Sequence, residues 1–476
     1  MPAKRQKGLF AALRVKVRRW LARVALLLAG IYVLALAILE FHEAEPVFES
    51  IPEDAGLAII APGFLLGAAT SAHQVEGGNL HSDWAKFERV VGNISNGQVS
   101  GAAADHWNRI SEDIALLSAM GANAYRFSVE WSRVEPQQGR WDEQAWSHYA
   151  DELARLRNAG IEPMVTLLHF TLPAWLAEQG GLTAGEFPQL FARFADEAAR
   201  RFGDSVNLWC TVNEPNVHMY QSYVQGVWPP AVRDTAQASI AFAGLVRAHA
   251  AAAEAIRKQD PGSQIGAAVN LILFEPDRHW WALDWVAANE ADKGFNWAFY
   301  DSISSGNISF HLAGFPEIEE PLPGLKGSAD YFGINYYRRN LVRFTPSAPG
   351  LVTLFQGPGR LSDSGVEVYP EGLLRMIRRV WQRYGMAIYI TENGVADAQG
   401  ELRAEYLRSH LYAVSRAVEE GIPVKGYFHW SLMDNFEWSE GFDYRFGLYS
   451  VDFDTFERVP GPAVKEFYHL SSQLNH

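Results

Sequence analysis

The chain has 476 residues, 48% of them hydrophobic, which is enough for one large α/β barrel or two to three smaller domains. Its formal charge of −14 is a poor match to a nucleic-acid backbone, so nucleic acid is not an expected partner. A single cysteine, Cys210, excludes an intramolecular disulfide and a cysteine-based zinc site; it lies in an apolar run and reads as a buried, inert thiol.

Charge and hydropathy first separate residues 1–40 from the rest. Eight basic residues (Lys4, Arg5, Lys7, Arg14, Lys16, Arg18, Arg19, Arg23) face one acid, Glu40, so this segment carries +7 and the remainder −14 − 7 = −21. The uncharged run Val24–Leu39 follows, and as a helix it covers roughly 24 Å of a hydrocarbon core about 30 Å thick. Trp20, Arg23 and Glu40 can sit at the two interfaces. A cleaved signal peptide is the rival reading. The long basic flank and the absence of small residues at a suitable cleavage position in "EFHEAEPVF" favour an uncleaved single-pass anchor. The positive-inside rule then places the N-terminus in the cytoplasm and the body on the extracytoplasmic side. Residues 41–57 read as a linker and 58–476 as the catalytic body.

From Phe64 onward, short apolar runs rich in β-branched and aromatic residues alternate with longer amphipathic segments. The expected strands are "FLLGAAT", "NAYRFSVEW", "PMVTLLHF", "NLWCTVNE", "IGAAVNLIL", "YFGINYY", "AIYITENG" and "VKGYFHWSL". Segments such as "HWNRISEDIALLSAMG" and "AWSHYADELARLRNAG" end in glycine, a helix stop. Residues 279–297, "HWWALDWVAANEADKGFNW", read as amphipathic helix packing, with contact to a ligand or to lipid as the other readings. Eight strand–helix units predict a (β/α)8 TIM barrel preceded by one transmembrane helix. No glycine-rich phosphate loop follows any strand, which disfavours an open doubly wound sheet.

A barrel of this kind places its active site at the C-terminal strand ends. Those ends carry Gln74, Arg126, His169, Asn213-Glu214, Tyr337, Glu392-Asn393 and Trp430. Glu214 precedes Pro215, a context that disfavours helix and ends the extended run abruptly. Alone, either glutamate is a polar turn residue. Together they face one another from strands four and seven, the pairing that glycoside hydrolysis needs. A retaining enzyme holds its two carboxyls about 5–5.5 Å apart and an inverting one farther apart.

"TVNEPN" and "YITENG", supported by "FLLGAATSAHQVEG", "AYRFSVEWSRV", "LLHFTLP", "GINYY" and "GYFHWSLMDNFEW", make the body resemble glycoside hydrolase family 1, the retaining β-glucosidase and β-galactosidase barrels. The motifs occur in family order over almost all of residues 58–475. The resemblance implies that Glu392 is the nucleophile and Glu214 the general acid/base. Arg126 and Tyr337 would keep Glu392 ionised, and Asn213 would hold the sugar 2-hydroxyl. Gln74, His169, Trp430, Glu437 and Trp438 would surround the non-reducing sugar. It implies no cofactor, and no residue cluster has metal-ligand spacing. Family members that act on 6-phosphoglycosides carry Ser, Lys and Tyr where this chain has Glu437, Tyr444 and Phe446; a carboxylate there repels phosphate. The expected activity is hydrolysis of terminal β-linked monosaccharides, with a β-glycoside or glycolipid as partner. Two alternatives stand beside it. One is glycosyl transfer to a lipid, because "VYPEGL", "ITENGVAD" and "GIPVKGY" resemble the membrane-attached plant galactolipid galactosyltransferase. The other is a silent, anchored carbohydrate-binding protein.

Overall fold

A computed structural model of the chain describes residues 3–40, 46–348 and 351–474. Eight parallel strands form the barrel: β1 Leu65–Ala69, β2 Ala124–Ser128, β3 Glu162–Leu168, β4 Leu208–Asn213, β5 Gln264–Pro276, β6 Tyr331–Phe344, β7 Ala387–Asn393 and β8 Val424–Trp430. Each pairs with its neighbour in chain order, and β8 returns to β1 through Leu65↔Gly426 to Ala69↔Trp430, which closes the sheet. All eight expected strands are present.

The barrel interior is filled at its lower levels by Ala69, Ala124, Met164, Leu208, Tyr331, Tyr389 and Phe428, with Trp430 closing the stack. A larger apolar layer lies between the strands and the surrounding helices. It includes Trp146, Phe191, Phe194 and Trp209, all fully buried. Helices start and stop where local chemistry dictates. Asp142 and Asp234 cap Glu143–Asn158 and Thr235–Gln259 by accepting from backbone N–H groups one turn in. Gly121 and Gly160 take the left-handed φ of 77° and 72° that ends a helix. Gly203 differs: it keeps φ −50° and continues Phe187–Phe202 into a 3₁₀ turn.

Two strands outrun their apolar stretches. β5 and β6 continue beyond the barrel as a ribbon, pairing as far as Pro276↔Val342, and Leu341–Phe344 turns back against Val352–Phe355. Arg339 fastens the ribbon to Glu275 and Glu367, at 3.0 and 2.8 Å. This extension raises one wall of the barrel mouth.

The N-terminal helix spans Ala3–Glu40 without interruption, so the basic and apolar segments form one rod. Its side chains are described from 16 to 34 and at 36, and the run Val24–Leu39 extends past them. Among the described residues, one helix is long and apolar enough to cross a membrane, Thr235–Gln259, and it is mostly buried in the barrel's shell. Within the expected linker, 41–45 lies outside the described residues. The rest packs on the body: Phe48 meets the Tyr412 ring edge-on, and Ala55 and Leu57 are fully buried.

Candidate active site

The strand ends converge on a cavity of about 1140 Å³ at the C-terminal mouth. Local backbone irregularity aims the reactive groups. Pairing of β4 with β5 shifts register between Cys210 and Asn213, and β7 shifts against both neighbours between Ile390 and Asn393. Such bulges re-aim side chains near active sites. Glu214, the first residue after β4, takes φ 44°, ψ 60°, a left-handed conformation that costs a non-glycine residue on the order of 1–3 kcal/mol. Pro215 then opens a short helix, and Asn216 ties that turn to the Asn270 and Phe295 carbonyls. Gly394 follows β7 where a Cβ would stand 1.8 Å from the Trp430 carbonyl oxygen, so only glycine fits.

Glu392 is held by two donors. Arg126 Nη1 donates to its Oε1 at 2.5 Å, and the Tyr337 hydroxyl donates to its Oε2 at 2.7 Å. Burial raises its carboxyl above the ordinary range, and Arg126 and Tyr337 offset that rise only in part. Arg126 also donates from Nη2 to Asn213 Oδ1 at 2.7 Å, so one buried guanidinium fixes both residues.

Glu214 lies across the mouth in a different setting. Burial first, and the Glu392 charge second, push its carboxyl up to about 8. Two amides, Asn270 Nδ2 at 2.8 Å and Asn335 Nδ2 at 2.9 Å, donate to its Oε1 and oppose that rise. Neither amide stood out in the sequence. Each is an asparagine inside an apolar strand, "AAVNLIL" and "GINYY", at a level where a polar group serves a site better than a core.

The structure brings together the residues expected to surround a sugar. Gln74 Nε2 donates to Glu437 Oε2 at 3.1 Å and to Asn435 Oδ1 at 2.9 Å. Burial, then Glu392, pushes the Glu437 carboxyl up to about 8. His169 stacks between Trp430 and Trp438 at ring separations of 5.7 and 6.1 Å. Burial and then Arg126 hold it neutral. The Asn213 oxygen is occupied by Arg126 and Asn335, so its amide N–H faces His169 Nε2 at 3.1 Å, which assigns the proton to Nδ1. That Nδ1 is buried with no partner among the described residues, a donor left for a ligand. His169 and Glu437 are each followed by a left-handed residue, Phe170 at φ 69° and Trp438 at φ 53°. Tyr444 and Phe446 line the same cavity. Among the described residues no group of three or more His, Cys, Asp or Glu is placed to hold a metal. Cys210 is free and fully buried beneath the site. Residues 282–297, read from sequence as helix packing, form a helix and a π-turn whose Leu283, Val286 and Phe295 line the outer cavity.

The model of one protein family, glycosyl hydrolase family 1, matches residues 58–473. β-Glucosidase A of Thermotoga maritima is 35% identical over 421 residues, covering 83% of this chain and 94% of that protein. A β-galactosidase of Pyrococcus woesei is 33% identical, covering 83% of this chain and 94% of the relative. Among solved structures, a β-glucosidase from T. maritima in complex with deoxynojirimycin superposes with a TM-score of 0.82 at 32% identity, over 88% of this chain and 99% of that one.

Proposed function

The chain belongs to glycosyl hydrolase family 1 and is a glycoside hydrolase, and from that premise we propose that it is a retaining exo-β-glycosidase working by double displacement. A silent carbohydrate-binding role is thereby set aside. The observation that carries the mechanism is the split between the two glutamates. Glu392 is paired to Arg126 and Tyr337, whereas Glu214 has no cation bonded to it among the described residues and is pushed up to about 8. Two carboxyls whose environments separate their proton affinities are an acid and a nucleophile.

In the first step a Glu392 oxygen attacks the anomeric carbon as the bond to the aglycone oxygen breaks. Glu214 gives that oxygen its proton, and the aglycone leaves as a neutral alcohol. The glycosyl ester removes the Glu392 charge, so Glu214, now deprotonated, holds less tightly to a proton yet can still take one from water. Water attacks the same carbon from the aglycone face, and a β-sugar leaves with Glu392 restored. Gln74, Glu437 and the His169 Nδ1–H supply hydrogen bonds to the terminal sugar, Trp430 and Trp438 its apolar faces, and Asn213 a contact to the 2-hydroxyl that strengthens in the transition state. A glucosyl or galactosyl unit fits this set, in keeping with the names of the relatives. A 2-fluoro-β-glycoside with a good leaving group is expected to stall the enzyme with its sugar on Glu392, located by peptide mass. An α-anomer as first product by NMR refutes retention.

The body is further proposed to be held on the extracytoplasmic side of a membrane by the N-terminal helix. The basic flank and the exposed apolar side chains from Leu26 to Leu34 support this. Alkaline carbonate is expected to leave the full chain in the membrane pellet; its complete release into the supernatant refutes the anchor.

A further inference from the structure

The outer lip of the cavity carries apolar residues that neither the fold nor the sugar site uses. On one side, Trp280 is 64% exposed and Val286 57% exposed, with Leu283 beside them. On the other, Leu351, Leu354 and Phe355 project from the ribbon's return strand, exposed as well. The two sides form one piece. Asp284 accepts from Arg278 Nε and Nη2, both at 2.8 Å, and from Phe344 N at 2.9 Å; Arg343 donates to Asp277 at 2.6 Å. The ion pairs point into the lip and the apolar groups point out. Leu283, Val286, Leu351 and Leu354 also line the cavity, so an apolar surface runs without a break from outside into the aglycone end of the active site. Single exposed apolar residues are ordinary; a cluster including a tryptophan at a cavity mouth marks an interaction surface.

The N-terminal helix identifies the occupant. The Tyr32 hydroxyl donates to the Trp280 carbonyl at 2.9 Å and accepts from the Ala282 N–H at 3.1 Å, so the helix lies against this lip. Around Tyr32, Leu26, Leu27, Leu28, Ile31, Val33 and Leu34 are all exposed. Consecutive positions point to every side of a helix, so this rod is apolar all round, which suits lipid and not a groove on a protein partner. An exposed indole beside such a helix is the side chain that settles at a bilayer interface.

We propose that the lip beside Trp280 rests on the bilayer that holds the N-terminal helix, and that the cavity thereby opens to lipid and takes a β-glycolipid, with its sugar inside and its acyl portion along the apolar wall. This rests on the glycosidase reading and names its substrate class. A second lipid hydroxyl is then as well placed as water to accept the sugar from Glu392. In that case the anomeric C–O bond to Glu392 breaks, one to the lipid oxygen forms, and Glu214 takes the hydroxyl proton.

The test uses the full chain in phosphatidylcholine nanodiscs. Cys210 is buried, so Trp280→Cys gives one reactive thiol for an environment-sensitive fluorophore, and Asn158→Cys, at the opposite end of the barrel, is the control. Blue-shifted emission quenched by spin-labelled lipid at position 280 and not at 158 is the expected result. No quenching at 280, or disulfide cross-linking of that variant to a second copy in place of quenching, overturns the proposal. In parallel, Trp280→Ser/Phe355→Ser is expected to lower cleavage of a β-glycosyl diacylglycerol in these discs roughly tenfold, the scale of two half-buried aromatics lost from lipid. Its hydrolysis of a soluble nitrophenyl β-glycoside is expected to stay within about twofold of the parent chain. Equal loss on both substrates, or on neither, overturns the lip. A parent chain inactive on every soluble β-glycoside would instead strike the glycosidase reading, with the fluorescence result standing separately.

Discussion

Removing one amide from Glu214 is expected to move the enzyme's alkaline limit upward while slowing the reaction. Asn270 Nδ2 donates to Glu214 Oε1 at 2.8 Å, and Asn335 does so at 2.9 Å. Both bonds favour the charged carboxylate and so hold Glu214 below the value that burial and Glu392 alone would impose. A hydrogen bond to a charged acceptor contributes about 1.5–3 kcal/mol and one to a neutral acceptor about 0.5–1.5. Asn270→Ala therefore removes about 1–1.5 kcal/mol of preference for the charged form, which is about one pKa unit at 1.36 kcal/mol per unit. The acid form of Glu214 then persists to higher pH. The assay is kcat/KM against pH on an alkyl β-glycoside, whose poor leaving group demands the proton. The alkaline limb, near pH 8 in the parent, is expected about one unit higher in the variant. The plateau is expected to fall, because a single amide now orients the carboxyl. A dinitrophenyl glycoside, which needs little protonation, is expected to lose less. An alkaline limb that stays in place or moves down while the plateau falls refutes the view that Asn270 acts through the charge of Glu214.

Tyr337→Phe deletes a 2.7 Å hydrogen bond to Glu392, the proposed nucleophile. At about 1.5–3 kcal/mol, kcat/KM is expected to fall roughly 10- to 150-fold; the acid limb is expected to move up, since Glu392 loses a donor to its charged form, and an unmoved limb contradicts the role. Away from the site, Asp113 accepts from Arg458 at 2.8 and 2.9 Å and pairs with His106 at 2.7 Å, all buried. Asp113→Asn leaves Arg458 without its counter-charge and is expected to cost about 3–5 kcal/mol by denaturant titration. Although burial opposes it, Asp113 and Glu152 raise His106 to about 10, so this stabilisation is complete below about pH 6.5 and is lost as pH rises through about 10. A parent chain whose stability is flat across that window contradicts the reading.

The barrel was legible because each strand buries both faces and must be a short apolar run, and because the strand tips carry groups that a solvent turn has little use for. Arg126, His169, Asn213, Glu214, Tyr337 and Glu392 are all in place for that reason. What the sequence hid depends on closure. Asn270 and Asn335 look like flaws in apolar strands until β4, β5 and β6 are side by side and both amides reach one glutamate oxygen. The ribbon beyond the barrel was hidden for a similar reason. "YRRNLVRF" is too polar for a core strand, and it is held by Glu275 and Glu367, which are 64 and 28 residues from Arg339 in the chain. The left-handed turn at Glu214 left only the trace of a following proline, which forbids helix without choosing among the remaining conformations.

In the proposed double displacement, the charge inventory of the sugar end lets both halves run on the same residues. Two buried carboxyls, Glu214 and Glu392, share the neighbourhood of Arg126, and of the two Glu392 is bonded to it; the half-buried Glu437 stands beyond them. For Glu214 and Glu437 alike, the Glu392 charge is second only to burial among the causes that raise them. Glu392 is the carboxyl paired to Arg126, while Glu214 and Glu437 are both pushed toward the proton-bearing form, with Arg338 lining the same cavity. Esterification of Glu392 in the proposed first step would cancel its charge and leave Arg126 without that counter-charge. Both remaining carboxyls then become stronger acids together. Glu214 turns into a base when an acceptor needs one, and Glu437 into a charged acceptor that grips the trapped sugar harder. The covalent step thus sets the protonation of its own second half. In the proposed arrangement, whether water or a lipid hydroxyl completes the turnover would depend on what the far end of the cavity admits, which is set by the apolar lip and not by the carboxyls.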